Sequence, residues 1–364
     1  MLTIHSADLY GAGRSLLDHA LALRGGALNF TALLPEHGPL EEALKAHGIP
    51  VWVGPSRKPA AFYRFALGTL QREGRPLCHV HSTFPLAAAL AARRAGCPIL
   101  WHVREERQRS VERRRPGLRR WGSRALSEIR RLAIGLLANR IIYVSEAVRR
   151  QFAFPGKPSD VLFNFLPDLP PPVRARAPGT PLTLLYVGRV CLEKGAEEFA
   201  GICRGLLDRG VSFRAVMAGS TYADSADFPA RLAAMGLGER VRMTGYQPDL
   251  ESIYEDVDVL LFPSHTEGFG RPVMEAMARG IVVVASRVGG IPEMIDHGRT
   301  GFLFDLARPG EAVEILARLE RDAALARAVG ARARESTTRL FSREAYVEKM
   351  SRIYREMDRT RHAL

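Results

Sequence analysis

No stretch of about 18 or more consecutive apolar residues occurs in the sequence, and a membrane-crossing helix needs one. The opening residues MLTIHSADLYGAGR also lack the basic-then-apolar order of a secretory leader. The expected setting is therefore the cytoplasm. Cysteine is scarce: Cys78, Cys97, Cys191 and Cys203 form no Cys-x-x-Cys pair and have no histidine at ligand spacing. That argues against both a zinc site and a disulfide framework, and each thiol is expected to fill a small buried space.

Negative charge is the minority, with 39 Asp and Glu against 52 Lys and Arg and a formal net charge of +13. The excess is uneven, because residues 101–131 hold eleven Arg against four Glu. A segment that basic attracts phosphate, whether on nucleic acid, on anionic lipid or on a charged acceptor. A solvated helical face is the plainer reading of the same run.

What the chain does have is apolar material, 46% of 364 residues, more than one hydrophobic core usually organises. Short β-branched or apolar runs at 2–5, 30–34, 51–53, 78–81, 99–103, 140–144 and 160–164 alternate with helical patterns at 15–23, 40–47 and 86–95. That rhythm predicts a parallel sheet with crossover helices, a Rossmann-like domain over 1–168. The proline-rich interval 169–181 cannot continue a helix or a central strand and reads as a linker. The rhythm then restarts, with strands at 182–187, 213–217, 241–244, 259–262 and 282–285, predicting a second Rossmann-like domain over 182–341. From residue 342 to 364, Tyr346, Met350, Ile353, Tyr354 and Met357 recur at helical spacing, so a terminal helix needs a surface for its apolar face and is expected to pack back on the first domain. Two such sheets are expected to face each other across a cleft, and ligands of doubly wound sheets bind outside the strand carboxyl ends.

The strongest chemical signal is HTEGFGRPVMEAMARG, after the apolar run 257–263. Pro272 suits the first turn of a helix, and Gly268 and Gly270 just before it let backbone amides approach an anion closely. Glu267 in the loop and Glu275 in the helix can each accept hydrogen bonds from vicinal hydroxyls, as sugar and ribose recognition requires. A second signal is LLYVGRVCLEKG, where Gly188 opens a loop bearing Arg189 and Lys194; two cations leaving a strand end suit a departing pyrophosphate. Ahead of the first helix, LYGAGRSLL offers Gly11 and Gly13, short of a full dinucleotide fingerprint. In ILWHVRE, His102 lies at the carboxyl end of a strand, where it can hold a sugar hydroxyl or the acceptor.

Together GAGR, WHVRE, VSEAVRR, YVGRVCLEKG, HTEGFGRPVMEAMARG, VASRVGGIPEMI and GRTGFLF resemble family 4 of the glycosyltransferases, retaining enzymes with the GT-B fold. The likeness covers nearly the whole chain, and its second-domain motifs are the specific ones. It implies that Glu267 holds the donor sugar and Glu275 the ribose, and that Arg189 and Lys194 neutralise the diphosphate. By the same resemblance, amides around Phe269, Gly270 and Arg271 touch the phosphate and sugar, Gly11 and Gly13 close over the donor, and His102 lies beside the transferred sugar. Gly188 and Gly268 belong to the same surround, and the base lies near Gly245 and Tyr246. No Asp-x-Asp pair stands at the family's metal position, so the resemblance implies a metal-independent reaction with no cofactor beyond the nucleotide diphosphate sugar. Two departures stand out: residues 164–168 read Asn-Phe-Leu-Pro-Asp where many relatives have Asn-Gly-Val-Asp before the linker, and the first loop is Gly-x-Gly and not Gly-Gly.

The expectation is thus a retaining hexosyltransferase that uses a UDP or GDP sugar and a glycan or lipid-linked acceptor in bacterial surface polysaccharide or lipopolysaccharide synthesis. The surface around Arg113, Arg114, Arg115, Arg119, Arg120 and Trp121 is expected to meet the acceptor or anionic membrane at its inner face. A nucleotide sugar epimerase shares the fold, but His102 and two glutamates are a thin set for elimination chemistry. A nucleic-acid binder is disfavoured, because the arginine run lacks interleaved aromatics beyond Trp101 and Trp121.

Overall fold

A parallel strand buried on both faces has no polar side to show, so it reads as a continuous apolar run. Val282–Ser286, buried at every position, is one such strand. The computed structural model describes residues 1–24, 28–106, 117–174, 176–177, 179–222, 225–247 and 249–362, without the side chains of 117–124 and 360–362. It divides into two compact units, Met1–Pro167 with Arg343–Leu364, and Asp168–Ser342.

The first unit holds seven strands, Leu2–Thr3 (β1), Ala32–Leu34 (β2), Val51–Val53 (β3), Cys78–His81 (β4), Ile99–Val103 (β5), Arg140–Tyr143 (β6) and Ser159–Val161 (β7). All pair in parallel, in the order β3-β2-β1-β4-β5-β6-β7. The second unit holds Leu182–Val187 (β8), Phe213–Ala218 (β9), Val241–Gly245 (β10), Val259–Phe262 (β11), Val282–Ser286 (β12) and Phe302–Phe304 (β13), again parallel, in the order β10-β9-β8-β11-β12-β13. Each sheet reverses its winding once, between β1 and β4 and between β8 and β11. Crevices of doubly wound sheets open at the carboxyl ends flanking such a reversal.

β13 was not expected from the sequence. Its three residues are too few for a periodicity, and they form a strand because they complete the sheet beside β12. The first helix also differs from expectation. It begins at Gly11 and runs to Leu23, so Gly11 and Gly13 lie in its first turn and not ahead of it. Gly13 has a packing reason of its own: a Cβ there would come 1.8 Å from the Asp8 carbonyl oxygen. Gly11 has open space around it.

The terminal helix Arg343–His362 belongs to the first unit. Tyr346, Met350, Ile353, Tyr354 and Met357 pack with Leu23, Leu100, Ile142, Leu162 and Phe165. Burying side chains such as Met350 and Ile353 contributes roughly 1.5–3 kcal/mol each, which offsets the cost of ordering a helix whose other face is polar. The proline-rich interval is tied to the second unit: Val173 N donates to Arg279 O at 2.9 Å, and Arg334 donates to Pro170 O at 2.6 Å. No helix among the described residues is long and apolar enough to cross a membrane.

Candidate active site

In the second unit, the loops after β8 and β11 meet because one residue has no side chain. Gly195 follows the short 3-10 turn Leu192–Lys194 with φ +75, and a Cβ on it would stand 1.9 Å from the Pro263 carbonyl oxygen. Only glycine permits this approach, on both steric and conformational grounds. His265 N donates to Glu193 O at 3.0 Å, and His265 Nε2 lies 2.7 Å from Glu198 Oε1. Two motifs 70 residues apart in sequence are thereby locked edge to edge.

The result is a direct contact between their charged groups. Lys194 Nζ donates to Glu267 Oε2 at 2.7 Å and to Thr266 O at 3.3 Å. Burial pulls the Lys194 pKa down, but Glu267 more than reverses it, so the pKa lies above its ordinary value and the ammonium stays charged. Arg189 stands with its guanidinium 5.0 Å from the centre of the Tyr222 ring. Burial lowers its pKa, and the hydrogen bond to Tyr222 with the charge of Glu193 outweighs that.

The helix Arg271–Ala278 starts beside this pair. Gly270 caps it in the left-handed region, φ +96, with Pro272 in the first turn. A Cβ on Gly270 would fall 3.4 Å from Glu267 Cγ, so the helix starts next to Glu267. Within the helix, Glu275 Oε1 lies 3.4 Å from Arg271 Nη2, and Tyr254 Oη donates to Glu275 Oε2 at 3.3 Å. Burial, then Glu275, push the Tyr254 hydroxyl well above the usual phenol range, so it remains a donor. The Phe269 side chain is buried, edge-on to Phe341 at 5.6 Å, which leaves only its main chain to face a ligand. Gly188 and Gly219 are stacked so tightly that a Cβ on Gly219 would meet Gly188 O at 1.8 Å. Gly245, φ +68, ends β10 and presents an exposed Tyr246.

This arrangement brings Arg189 and Lys194, after β8, to the same end of one sheet as Glu267, Gly270, Arg271 and Glu275, after β11. Glu198, Thr266 and Tyr254 support it and were missed. Glu198 reads as an ordinary first-turn acid of Ala196–Asp208, and only the tertiary contact with His265 gives it a role.

His102, expected at the carboxyl end of its strand near the cleft, is fully buried. The ladder with β6 continues past it to Val103, and Arg104 lies over its Nδ1 at 3.2 Å. At the same strand ends, Ser82 adopts φ +81, rare for a residue with a side chain. Nearby, Phe84 is exposed, with the His5 ring 5.0 Å away and the Arg130 guanidinium at 4.3 Å. Arg113, Arg114 and Arg115 lie outside the described residues. So do the side chains of Arg119, Arg120 and Trp121, although their backbone lies in the helix Gly117–Leu137.

Two parallel doubly wound units, each with one reversal of winding, are the architecture of the GT-B fold. Family comparison makes this specific. Residues 10–164 match the model "Glycosyltransferase Family 4" and residues 173–336 match "Glycosyl transferases group 1", and the chain belongs to glycosyltransferase family 4. It is 37% identical over 116 residues to the N-acetyl-alpha-D-glucosaminyl L-malate synthase of Bacillus anthracis, covering 32% of this chain and 30% of that protein. It is 33% identical over 175 residues to the lipopolysaccharide core biosynthesis mannosyltransferase LpcC of Rhizobium leguminosarum, covering 47% and 49%. The matched stretch thus spans half or less of these relatives. Among solved structures, Anabaena Alr3699/HepE in complex with UDP-glucose superimposes with a TM-score of 0.81 at 19% identity, over 98% of this chain and 99% of that one.

Proposed function

We propose that this enzyme moves a hexose-type sugar from a UDP or GDP sugar to a hydroxyl of a glycan or glycolipid, in the synthesis of bacterial surface polysaccharide or lipopolysaccharide. The observation that carries the reading is the contact of Lys194 with Glu267 beside the glycine-capped start of Arg271–Ala278. A cation for a phosphate and a carboxylate for sugar hydroxyls stand side by side there. The lipopolysaccharide role of LpcC and the UDP-glucose bound by the Anabaena protein support the class of donor and product.

The reaction retains configuration. The bond from the sugar C1 to the β-phosphate oxygen breaks while the acceptor oxygen forms a bond to C1 from the same face, and the acceptor proton passes to the departing phosphate. Arg189, Lys194 and the amides at Gly270 and Arg271 stabilise the negative charge that grows on that phosphate. These two cations act where a divalent ion acts in other enzymes, and no resident metal is required. Glu267 orients the sugar by its hydroxyls and Glu275 grips the ribose. Acceptor recognition belongs to the first unit, for which the exposed Phe84 ring with His5 and Arg130 offers a stacking surface at the β1/β4 reversal. Buried His102 is given no contact with sugar. The exposed Leu126, Ile129, Leu132 and Leu136 on the basic helix Gly117–Leu137 support a peripheral contact with anionic lipid.

The test is thermal stabilisation by UDP, GDP and ADP, followed by transfer from the sugars of the winning base. No stabilisation by any nucleotide refutes the donor reading. Appearance of an epimer when donor is incubated without acceptor turns it toward the epimerase.

A further inference from the structure

One guanidinium organises the polar core of the first unit. Buried Arg104 donates through Nε to His81 Nδ1 at 3.2 Å, through Nη2 to His102 Nδ1 at 3.2 Å, and through Nη1 to Asn164 Oδ1 at 2.6 Å. A guanidinium has five N–H donors and no acceptor. The Nδ1 atoms of His81 and His102 must therefore be the bare nitrogens, and each ring carries its proton on Nε2. Both Nε2 atoms are buried and have no hydrogen-bond partner among the described residues.

A third donor arises the same way. Arg104 also hydrogen-bonds the Tyr346 phenol, which turns the phenol's own proton toward His19 Nδ1 at 2.8 Å. His19 then donates from Nε2 to Tyr354 Oη at 2.8 Å, and Tyr354 donates to His79 Nδ1 at 2.6 Å. The proton of His79 is left on Nε2, again buried and without a partner among the described residues. His79 and His81 alternate on β4, and His102 stands opposite His81 on β5, so all three rings share one face. Their centroids lie 4.1, 5.5 and 5.7 Å apart, so the three rings stand side by side.

The spacing of His19, His79 and His81 suits a cation, but the proton arrangement does not, since the bare nitrogens already face Arg104 and Tyr354 and the unpartnered ones carry hydrogen. Water fits poorly as well. It accepts two hydrogen bonds and not three, and its own two hydrogens then need acceptors, for which Ser82 Oγ is the buried atom at hand. An anion accepts all three. The charge acting on these rings has the sign that welcomes one, because it comes from the Arg104 guanidinium.

We infer that the Nε2–H groups of His79, His81 and His102 enclose a small monovalent anion of chloride size, which ties β4 and β5 through Arg104 and two tyrosines to the terminal helix. Crystals of the full chain grown in sodium bromide test it, with a bromide anomalous peak expected at hydrogen-bond distance from all three Nε2 atoms. In solution, the urea midpoint followed by tryptophan emission reports the first unit, since Trp52, Trp101 and Trp121 all lie there. It should rise and saturate with chloride at constant ionic strength made up with gluconate, and His102→Phe, with one donor removed, should flatten the response. A water or no peak at the site, or equal midpoints in chloride and gluconate for the wild-type chain, overturns the inference. A bromide peak without a solution effect is an adventitious ion only and overturns it too.

Discussion

Acidification should unfold the first unit through its buried imidazoles, and His19 sets the scale. Burial, followed by the nearby Arg104 charge, lowers the His19 pKa from its ordinary 6.5 to about 3. The unfolded chain therefore takes up a proton that the folded unit refuses. The stability this represents is fully present above 6.5 and is lost as pH falls toward 3. At about pH 4.5 the loss from His19 alone is on the order of 3 kcal/mol. His79, His81 and His102 shift in the same direction, so the whole unit should lose at least that much, against a typical domain stability of roughly 5–15 kcal/mol. The assay is urea unfolding at about pH 7.5 and 4.5, read by tryptophan emission. The comparison is His19→Phe, which leaves Tyr346 and Tyr354 without their shared partner. That variant should be less stable at neutral pH, by roughly 1–3 kcal/mol, because each hydroxyl loses one hydrogen bond while Tyr354 keeps His79 and Tyr346 keeps Arg104, yet fall less on acidification. Equal acid losses in wild type and His19→Phe would refute the reasoning, because they would place the titrating groups elsewhere.

Other outcomes follow from the second unit and the basic helix. Arg189→Ala and Glu275→Ala should each cut transfer by about 100-fold or more with unchanged circular dichroism, and full activity in both would remove the donor-site assignment. Gly195→Ala should destabilise the second unit by roughly 2 kcal/mol or more, since it forces a side chain against Pro263 O at positive φ; limited proteolysis with urea checks it, and a neutral result would mean the loops after β8 and β11 are not pinned as described. Co-sedimentation should favour anionic over neutral liposomes and weaken with salt, and Ile129→Glu with Leu136→Glu should abolish it. Indifference to lipid charge would leave that helix as a solvated face.

Apolar patterning made most of the strands legible, because parallel strands buried on both faces are largely apolar and β8, β11 and β12 stand out as such. It failed at Phe302–Phe304, where a strand of three residues has no period to detect. It also misplaced the start of the first helix, because two glycines in GAGR weigh against a helix that Tyr10 and the packing of Gly13 against Asp8 nonetheless begin there. The donor-site residue types were readable because glycines, a proline and paired charges at strand ends are chemically distinctive. Their partners were not: Glu198 and Tyr254 look like any acid and any aromatic until folding brings His265 and Glu275 to them.

By itself, the sequence determined two parallel α/β units, the family, and which residues carry charge next to flexible backbone, since these depend on local pattern and side-chain type. The tertiary structure alone decided that Lys194 and Glu267 touch, through an approach only Gly195 allows. It also decided that His102 is buried, because whether a strand-end side chain is accessible depends on what packs over it. There Arg104 closes the end of β5 and hydrogen-bonds the Nδ1 atoms of two imidazoles, His81 and His102.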